Sequence, residues 1–231
     1  MQDKHLILII SAISTCDKPL AYTPTRSAFT HQQRFEQSLR TIENIKLHIP
    51  NAYIVFVEGT CISTEMIDLI KERVDFFYPA YEDSIVYEHV NGEHKGMGEA
   101  SSILSYLKSS HFNTINEDCL SITKISGRYY PCQGFTWEYF QDGLLCHIKF
   151  DNPHHSTRIW MSTMFYTVGY KSIPLYIKSL EECINNQELQ NGIAFEHVLP
   201  NCFKNNNIKI IQKIPFHVGG EYGPWGGYVE H

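Results

Sequence analysis

Residues 5–13 read HLILIISAI, a continuous run of apolar side chains. A strand that helices cover on both faces of a sheet has this pattern, whereas a strand with one wet face alternates apolar and polar residues. Two further runs of this kind follow, AYIVFVE at residues 52–58 and the shorter DFFY at residues 75–78. The three runs predict buried strands.

Two helices are predicted between these strands. Residues 30–50 begin with Thr30 and Gln33 at the spacing of a capping box, continue with an apolar stripe at helical intervals, and end at Pro50. Residues 63–74, STEMIDLIKERV, form the second helix. The order βαβαβ predicts a mainly parallel sheet with right-handed crossovers, in which ligands bind beyond the carboxyl ends of the strands.

The rest of the chain extends this pattern. A polar loop is expected at residues 79–95, a helix at residues 96–110, and a fourth strand in 121-SITKISGRYYP-131. Shorter alternating strands, two helices and a late strand are expected over residues 144–150, 158–168, 172–184, 192–203 and 208–214. The predicted fold class is α/β, a Rossmann-like three-layer fold whose mostly parallel central sheet is joined by a smaller mixed or antiparallel part. No linker separates two domains, so residues 1–231 are expected to form one domain.

Composition and charge exclude several classes of function. The net charge of -6 and the pI near 6.0 argue against nucleic acid as the main partner, because phosphate backbones bind basic surfaces. The seven cysteines are widely spaced without a Cys-x-x-Cys pair, which favours reduced thiols and a cytoplasmic location. No apolar run is long enough for a transmembrane segment. The start of the chain imitates a secretion signal, but its apolar run is short, so a core strand is expected there.

Lys124, Ser126 and Arg128 share one face of the predicted fourth strand, although lysine is rarely buried without a partner. One interpretation is a solvent-facing row, or an ion pair with an acid such as Asp118. The other interpretation is that the cations face a cleft and offset the charge of a diphosphate, a role that suits the bidentate fork of arginine.

Further candidates lie in three short segments. Lys95 precedes GMGEAS, which is either an ordinary helix start or an anion site made of free amides and the helix dipole. Glu196 and His197 lie together in FEHVLP, where they form either a solvated polar face or a general base beside a cleft. The tail HVGGEYGPWGGY at residues 217–228 is either a mobile lid or a frayed terminus, with His217 as a candidate phosphate contact.

Five segments together resemble a known family: TRSAFTHQQRFEQSLRTIENIKLHIPNAYIVFVEGT, KGMGEASSIL, KISGRYYP, FEHVLP and HVGGEYGPWGGY, in this order along most of the chain. They are similar to the GT-A-fold glycosyltransferases of large viruses and of bacterial surface-glycan clusters. The resemblance implies a nucleotide-sugar-binding half over about residues 1–130 and an acceptor-binding half over about residues 131–231.

The resemblance also implies roles for single residues. Ser14, Thr15 and Arg34 would line the nucleotide pocket, Glu58 would approach the base or ribose, and Lys95 would contact phosphate or ribose. Together with the cations and the histidine named above, the candidate nucleotide-sugar contacts are Ser14, Thr15, Arg34, Glu58, Lys95, Lys124, Arg128 and His217. Glu196 would be the catalytic base of a direct, inverting displacement, with His197 as the fallback base.

The chain departs from the GT-A pattern at the end of the fourth strand. Most GT-A enzymes hold a divalent metal there with Asp-x-Asp, whereas this chain reads Ser126-Gly127-Arg128-Tyr129. No cofactor is therefore certain: a guanidinium could do the work of the metal, and Mn²⁺ or Mg²⁺ stays open.

The leading functional hypothesis is a hexosyl- or pentosyltransferase that moves a sugar from a nucleotide-diphosphate sugar to a glycan hydroxyl. The alternative is a non-catalytic nucleotide- or glycan-binding protein of the same fold. A Rossmann-like methyltransferase is disfavoured because the glycine-rich segment does not follow the first strand.

Overall fold

A mostly parallel sheet with helices on both faces forms the core of the protein. The computed structural model describes residues 4–116, 119–136, 142–149, 160–212, 217–223 and 226–230. The strands are β1 (Lys4–Ser11), β2 (Ala52–Glu58), β3 (Phe76–Pro79), β4 (Cys119–Ser126), β5 (Tyr129–Pro131), β6 (Leu144–Lys149), β7 (Trp160–Gly169), β8 (Ile210–Gln212), β9 (Val218–Glu221) and β10 (Tyr228–Glu230). The helices are α1 (His31–His48), α2 (Thr64–Lys71), α3 (Ser84–Asn91), α4 (Lys95–Leu107), α5 (Ser110–Ile115), α6 (Ile173–Ile184), α7 (Gln187–Gln190) and α8 (Phe195–Asn205). None of these described helices is long and apolar enough to cross a membrane.

The order of the strands confirms the predicted fold class. Within the described residues, the central sheet runs β3-β2-β1-β4-β7-β6-β8, and β7 alone runs against the others. β1 lies between β2 and β4 in parallel register, with Ile7 opposite both Ile54 and Thr123. A second sheet in the described part of the chain is antiparallel, in the order β10-β9-β5. Strands from both predicted halves of the chain thus join one central sheet.

Alternate residues of β1 enter opposite layers of the core. Leu6 and Leu8 pack in one hydrophobic cluster with residues of α4, while Ile7 and Ile9 pack in another with residues of α1. All four side chains are completely buried. Complete burial of such a side chain contributes about 1.5–3 kcal/mol relative to exposure. The continuous apolar run of the first strand therefore results from a helical layer on each face, as predicted.

Helix α1 begins and ends where the sequence predicts. Thr30 accepts a hydrogen bond from the backbone N–H of Gln33, and the Gln33 side chain accepts one from the backbone N–H of Thr30 at 2.9 Å. This reciprocal capping box satisfies amide donors that the first turn would otherwise leave free. Phe35 and Ile42 bury the apolar stripe against the sheet, and this packing directs Arg34 towards the end of β1.

The segment at residues 79–95 is not the loop that the sequence predicted. It contains α3, which Asp83 caps by accepting hydrogen bonds from amides of the first turn. Val86 and Val90, one turn apart, are buried against the rest of the core. Ile85 and Tyr87, which flank Val86, are exposed, so the apolar residues of this segment do not form a stripe at helical spacing.

The glycine-rich tail forms paired strands in its described residues. β9 lies between β5 and β10, so the tail is not frayed there. Gly220 approaches β5 so closely that a Cβ at this position would lie 2.2 Å from the Arg128 carbonyl oxygen. Glycine therefore permits the pairing. Trp225, an aromatic residue of this segment, lies outside the described residues.

Candidate functional site

Two adjoining cavities lie at the carboxyl ends of β1 and β4. The described residues enclose about 320 Å³ in the larger cavity and about 70 Å³ in the smaller one. Lys95, Glu99, Ser126 and Arg128 line both cavities, and we call these four residues the junction. The cavities therefore occupy the sheet edge at which ligands bind in parallel α/β folds.

Two cationic side chains converge at the junction. Lys95 is the first residue of α4, and Arg128 follows the end of β4. A Cβ placed on Gly223 would lie 2.8 Å from Arg128 Nη2 and 3.4 Å from Lys95 Nζ. Both cationic groups thus approach one point, where glycine leaves them room. Arg128 is held there by a hydrogen bond from its Nε to the Glu221 carbonyl oxygen at 3.3 Å.

The positively charged side chains of the site repel one another. Burial, and next the nearby charge of Arg128, lower the pKa of Lys95 to about 7. The same two causes lower the pKa of Arg34 to about 9. Such shifts arise where positive charges are close together and poorly hydrated. An anion bound at the junction would relieve this repulsion, so the electrostatics favour an anionic ligand.

Arg26 and Arg34 shape the smaller cavity through bonds to the backbone. Arg34 donates from Nε to the Ala12 carbonyl oxygen at 2.7 Å and from Nη1 to Ser27 Oγ at 3.1 Å. Arg26 donates to the carbonyl oxygens of Lys18, Val90, Asn91 and Gly92. Both line the smaller cavity. Sequence reasoning missed Arg26 because it lies in a Pro-, Thr- and Ser-rich loop that shows no pattern.

Lys124 is placed behind the cavity wall instead of in it. Its side chain is 0% exposed and lines neither cavity. Its Nζ donates to Glu99 Oε1, to the Thr163 carbonyl oxygen and, at 2.8 Å, to Ser126 Oγ. This corrects the expectation that Lys124 contacts a diphosphate: its partner is Glu99, and Asp118 lies outside the described residues.

Glu58 is also buried beneath the site rather than exposed in it. Its Oε1 accepts hydrogen bonds from the Ile13 amide at 3.0 Å, from the Thr60 amide at 2.9 Å, and from the Thr60 hydroxyl. Burial raises the pKa of this carboxyl, although these hydrogen bonds counteract the rise. Glu58 thus ties together the loops that follow β1 and β2. This placement corrects the expectation that it approaches a base or ribose.

The remaining predicted contacts divide between the smaller cavity and the surrounding surface. Thr15 lines the smaller cavity, whereas Ser14 does not and instead bonds through its amide to Thr60 Oγ1 at 2.9 Å. His217 lines neither cavity: it precedes β9 with a left-handed φ of 52°, and its Nδ1 lies 3.9 Å from Glu230. The structure therefore brings Thr15 to the site but not Ser14 or His217.

Besides Glu99, the carboxylate of Glu196 faces the larger cavity. Glu196, in the first turn of α8, lines this cavity and accepts a hydrogen bond from Thr163 Oγ1 at 3.3 Å. His197 follows it on the helix but does not line the cavity. Burial, then the charges of Glu196 and Tyr222, raise the pKa of Tyr22 to about 12. The aromatic residues that share this cavity are Tyr22, Tyr129, Trp160, Phe195 and Tyr222.

The donor set does not suit a divalent metal. Among the described residues, no group of three or more His, Cys, Asp or Glu side chains is arranged to hold one. Ca²⁺, Mg²⁺ and Mn²⁺ require several oxygen ligands, and carboxylates supply most of them in proteins. Of the acidic side chains that line the cavities, Glu99 is ion-paired with Lys124, and Glu196 accepts a hydrogen bond from Thr163.

Comparison with known proteins yields likenesses of structure. No family model matches the chain, and no curated protein matches it in sequence. A nucleoside-diphosphate-sugar pyrophosphorylase from Vibrio cholerae RC9 is similar at a TM-score of 0.48 and 13% identity, over 92% of this chain and 93% of that chain. The glycosyltransferase GlyE of Streptococcus pneumoniae TIGR4 is similar at a TM-score of 0.49 and 7% identity, over 92% of this chain and 46% of that chain. This chain therefore spans about half the length of that glycosyltransferase.

Proposed function

We propose that this protein is a glycosyltransferase that moves a hexosyl or pentosyl group from a nucleotide-diphosphate sugar to a glycan hydroxyl. The observation that carries the proposal is the position of the junction, where Lys95 and Arg128 converge next to a cavity that contains the carboxylate of Glu196. A direct displacement of a sugar needs both kinds of group. Cations stabilise the leaving diphosphate, and a base takes the proton of the acceptor.

The donor diphosphate binds at the junction. Arg128 offers two parallel N–H donors to phosphate oxygens, and Lys95 adds a point charge from the start of α4. Charge-assisted hydrogen bonds of this kind contribute about 1.5–3 kcal/mol each. The nucleoside extends along the smaller cavity past Thr15 and Arg34, and the sugar enters the larger cavity. The two side-chain cations thus do the work that a metal does in most GT-A enzymes.

Glu196 acts as the base of an inverting displacement. The acceptor oxygen attacks the anomeric carbon, and the bond from that carbon to the phosphate oxygen breaks with its electron pair remaining on the diphosphate. The acceptor proton moves to the Glu196 carboxylate. A positioned base contributes about 10²–10⁴-fold to such a step. Because Glu196 lies on a helix and is held by Thr163, its geometry is better fixed than a loop would allow.

The resemblance to glycosyltransferases of large viruses and of bacterial surface-glycan clusters supports a glycan as the acceptor. The widely spaced cysteines support a cytoplasmic place of action. The aromatic residues of the larger cavity suit a sugar acceptor, because sugar rings stack on aromatic side chains while their hydroxyls bond to polar groups.

The proposal is tested by a panel of nucleotide-diphosphate sugars with the purified chain, with and without Mn²⁺. Thermal shift identifies donors that bind the folded state, and mass spectrometry then detects transfer to glycan acceptors. We expect one donor class to stabilise the protein without Mn²⁺ and to yield a glycosylated product of inverted anomeric configuration. Saturable binding without hydrolysis or transfer would indicate a non-catalytic binding protein, and no binding at all would overturn the proposal.

A further inference from the structure

We infer that Glu99, held in place by Lys124, binds hydroxyl groups of the donor sugar and restricts the donor to sugars that carry no negative charge. This inference rests on the proposed function, because it assigns the sugar end of the same site. The sequence pattern did not single out Glu99, and the structure places it at the junction.

Glu99 lies where the diphosphate and the sugar would meet. It faces inward from the first turns of α4, lines both cavities, and has a side chain that is 15% exposed. Lys124 binds its Oε1, and its Oε2 makes no hydrogen bond to a described residue. An ionised carboxylate only accepts hydrogen bonds, so the hydroxyl groups of a sugar are suitable donors to it.

Lys124 fixes the direction of this carboxylate. The lysine is completely buried, and its Nζ is bonded to Glu99, to Ser126 Oγ and to the Thr163 carbonyl oxygen. An ammonium that has these partners cannot turn into the cavity to neutralise a ligand. Lys124 is therefore a positioning residue: it holds Glu99 from behind, and the ligand meets only the carboxylate.

Once the diphosphate is bound, the charged side chains that remain to face the sugar are carboxylates. Lys95 and Arg128 are the cations that line the larger cavity in the described part of the chain, and the diphosphate would engage both. Glu99 and Glu196 are then the acidic side chains next to the sugar, and the other polar side chains of this cavity include Tyr22, His94, Ser162, Thr163 and Tyr222. A neutral sugar donates its hydroxyls to these carboxylates, whereas a uronic acid would place a third carboxylate beside them. Like charges in such proximity disfavour binding strongly.

The test compares matched donors that differ only in the charge of the sugar. UDP-glucose is compared with UDP-glucuronate, and GDP-mannose with GDP-mannuronate, by calorimetric titration, with UDP and GDP as sugar-free references. We expect the wild-type protein to bind the neutral member of the preferred pair roughly tenfold or more tightly than the acidic member. In Glu99→Gln this ratio should fall severalfold towards one, because the ratio compares two sugars that carry the same diphosphate.

Glu99→Gln leaves Lys124 buried without its counter-charge, so the double variant Glu99→Gln/Lys124→Met is measured in parallel. It removes both charges together and should show the same loss of discrimination. Glu181→Gln is the matched control, because Glu181 forms an ion pair with Lys108 at 2.6 Å on the surface, away from the cavities, and should keep the wild-type ratio.

Equal affinity of the wild-type protein for neutral and acidic sugars would overturn the inference, as would an unchanged ratio in both Glu99 variants. In either case, tight binding of UDP or GDP would leave the proposed function standing. If neither the sugar-free diphosphates nor any nucleotide sugar binds, the proposed function itself fails, and the inference fails with it.

Discussion

Lys124 and Glu99 form an ion pair in which the lysine side chain is 0% exposed and the carboxylate is 15% exposed. The pair explains why a lysine stands inside a strand of the core: it lies below the wall of the site and supports a carboxylate that reaches the surface of the cavities. Burial lowers the pKa of Lys124, and Glu99 offsets this effect. The Lys124–Glu99 ion pair therefore contributes both to the stability of the fold and to the arrangement of the site.

Removal of the lysine alone should destabilise the protein. Lys124→Met leaves the Glu99 carboxylate partly buried without its counter-charge, a change that costs about 3 kcal/mol of the free energy of unfolding when a buried pair is broken. Urea denaturation measures the loss. Lys108→Met is the control, because the pair of Lys108 with Glu181 is exposed and such pairs contribute about 0–1 kcal/mol. A Lys124→Met protein as stable as the control would show that the pair does not support the fold.

The affinity for a nucleotide sugar should fall as the pH rises from about 6 to about 8.5. The pKa of Lys95 is lowered to about 7 in the free protein, so the ammonium is present below this pH and is lost above it. A bound diphosphate favours the charged form and raises the pKa, so binding is strongest where Lys95 is already protonated. The diphosphate of a nucleotide sugar does not titrate in this range, so it does not contribute to the change of affinity with pH.

Titration calorimetry at several pH values in the wild type and in Lys95→Gln tests this dependence. The variant should bind more weakly below pH 7 and should lose most of the slope. A slope that persists in Lys95→Gln would assign the pH dependence to another group.

Substitution of the proposed base should separate binding from chemistry. Glu196→Gln keeps the size of the side chain and its contact with Thr163 but cannot take a proton. We expect the Kd for the donor to stay within about twofold and the rate of transfer to fall by about 10²–10⁴-fold.

Transfer is followed by mass spectrometry, and the anomeric configuration of the product by NMR. Glu188→Gln, on α7, serves as a control because Glu188 does not line the cavities. Transfer by Glu196→Gln at the wild-type rate, or a product that keeps the anomeric configuration of the donor, would contradict this mechanism.

Much of the fold was predictable because its signals are local. The apolar run of β1 indicates that both faces of the strand are covered. The capping box at Thr30 indicates the start of α1. Helix α3 was missed because its buried stripe consists of Val86 and Val90, while the apolar Ile85 and Tyr87 are exposed and obscure the helical spacing. The strand pairing of the tail depends on contact with Tyr129–Pro131, which lies far earlier in the chain, and no local sequence pattern can indicate such a contact.

The site was predictable only in part because its residues come together through the fold. Arg128 and Lys95 were found from charge at a strand end and at a helix start, and these positions follow from topology. Strand alternation placed Lys124 on the correct face but could not show that Glu99, one turn into α4, would bind it. For Glu58, the sequence could not distinguish a ligand contact from a carboxylate that accepts hydrogen bonds from two loops.

The affinity of Arg128→Ala for the donor tests the central claim most directly, because this guanidinium lies at the junction of the two cavities. Loss of its charge-assisted contacts should raise the Kd for the nucleotide-diphosphate sugar by roughly tenfold or more, while circular dichroism and urea denaturation show a folded protein. Arg73→Ala, at a surface position, should bind like the wild type. If a correctly folded Arg128→Ala protein binds the donor with unchanged affinity, the diphosphate does not bind at the junction.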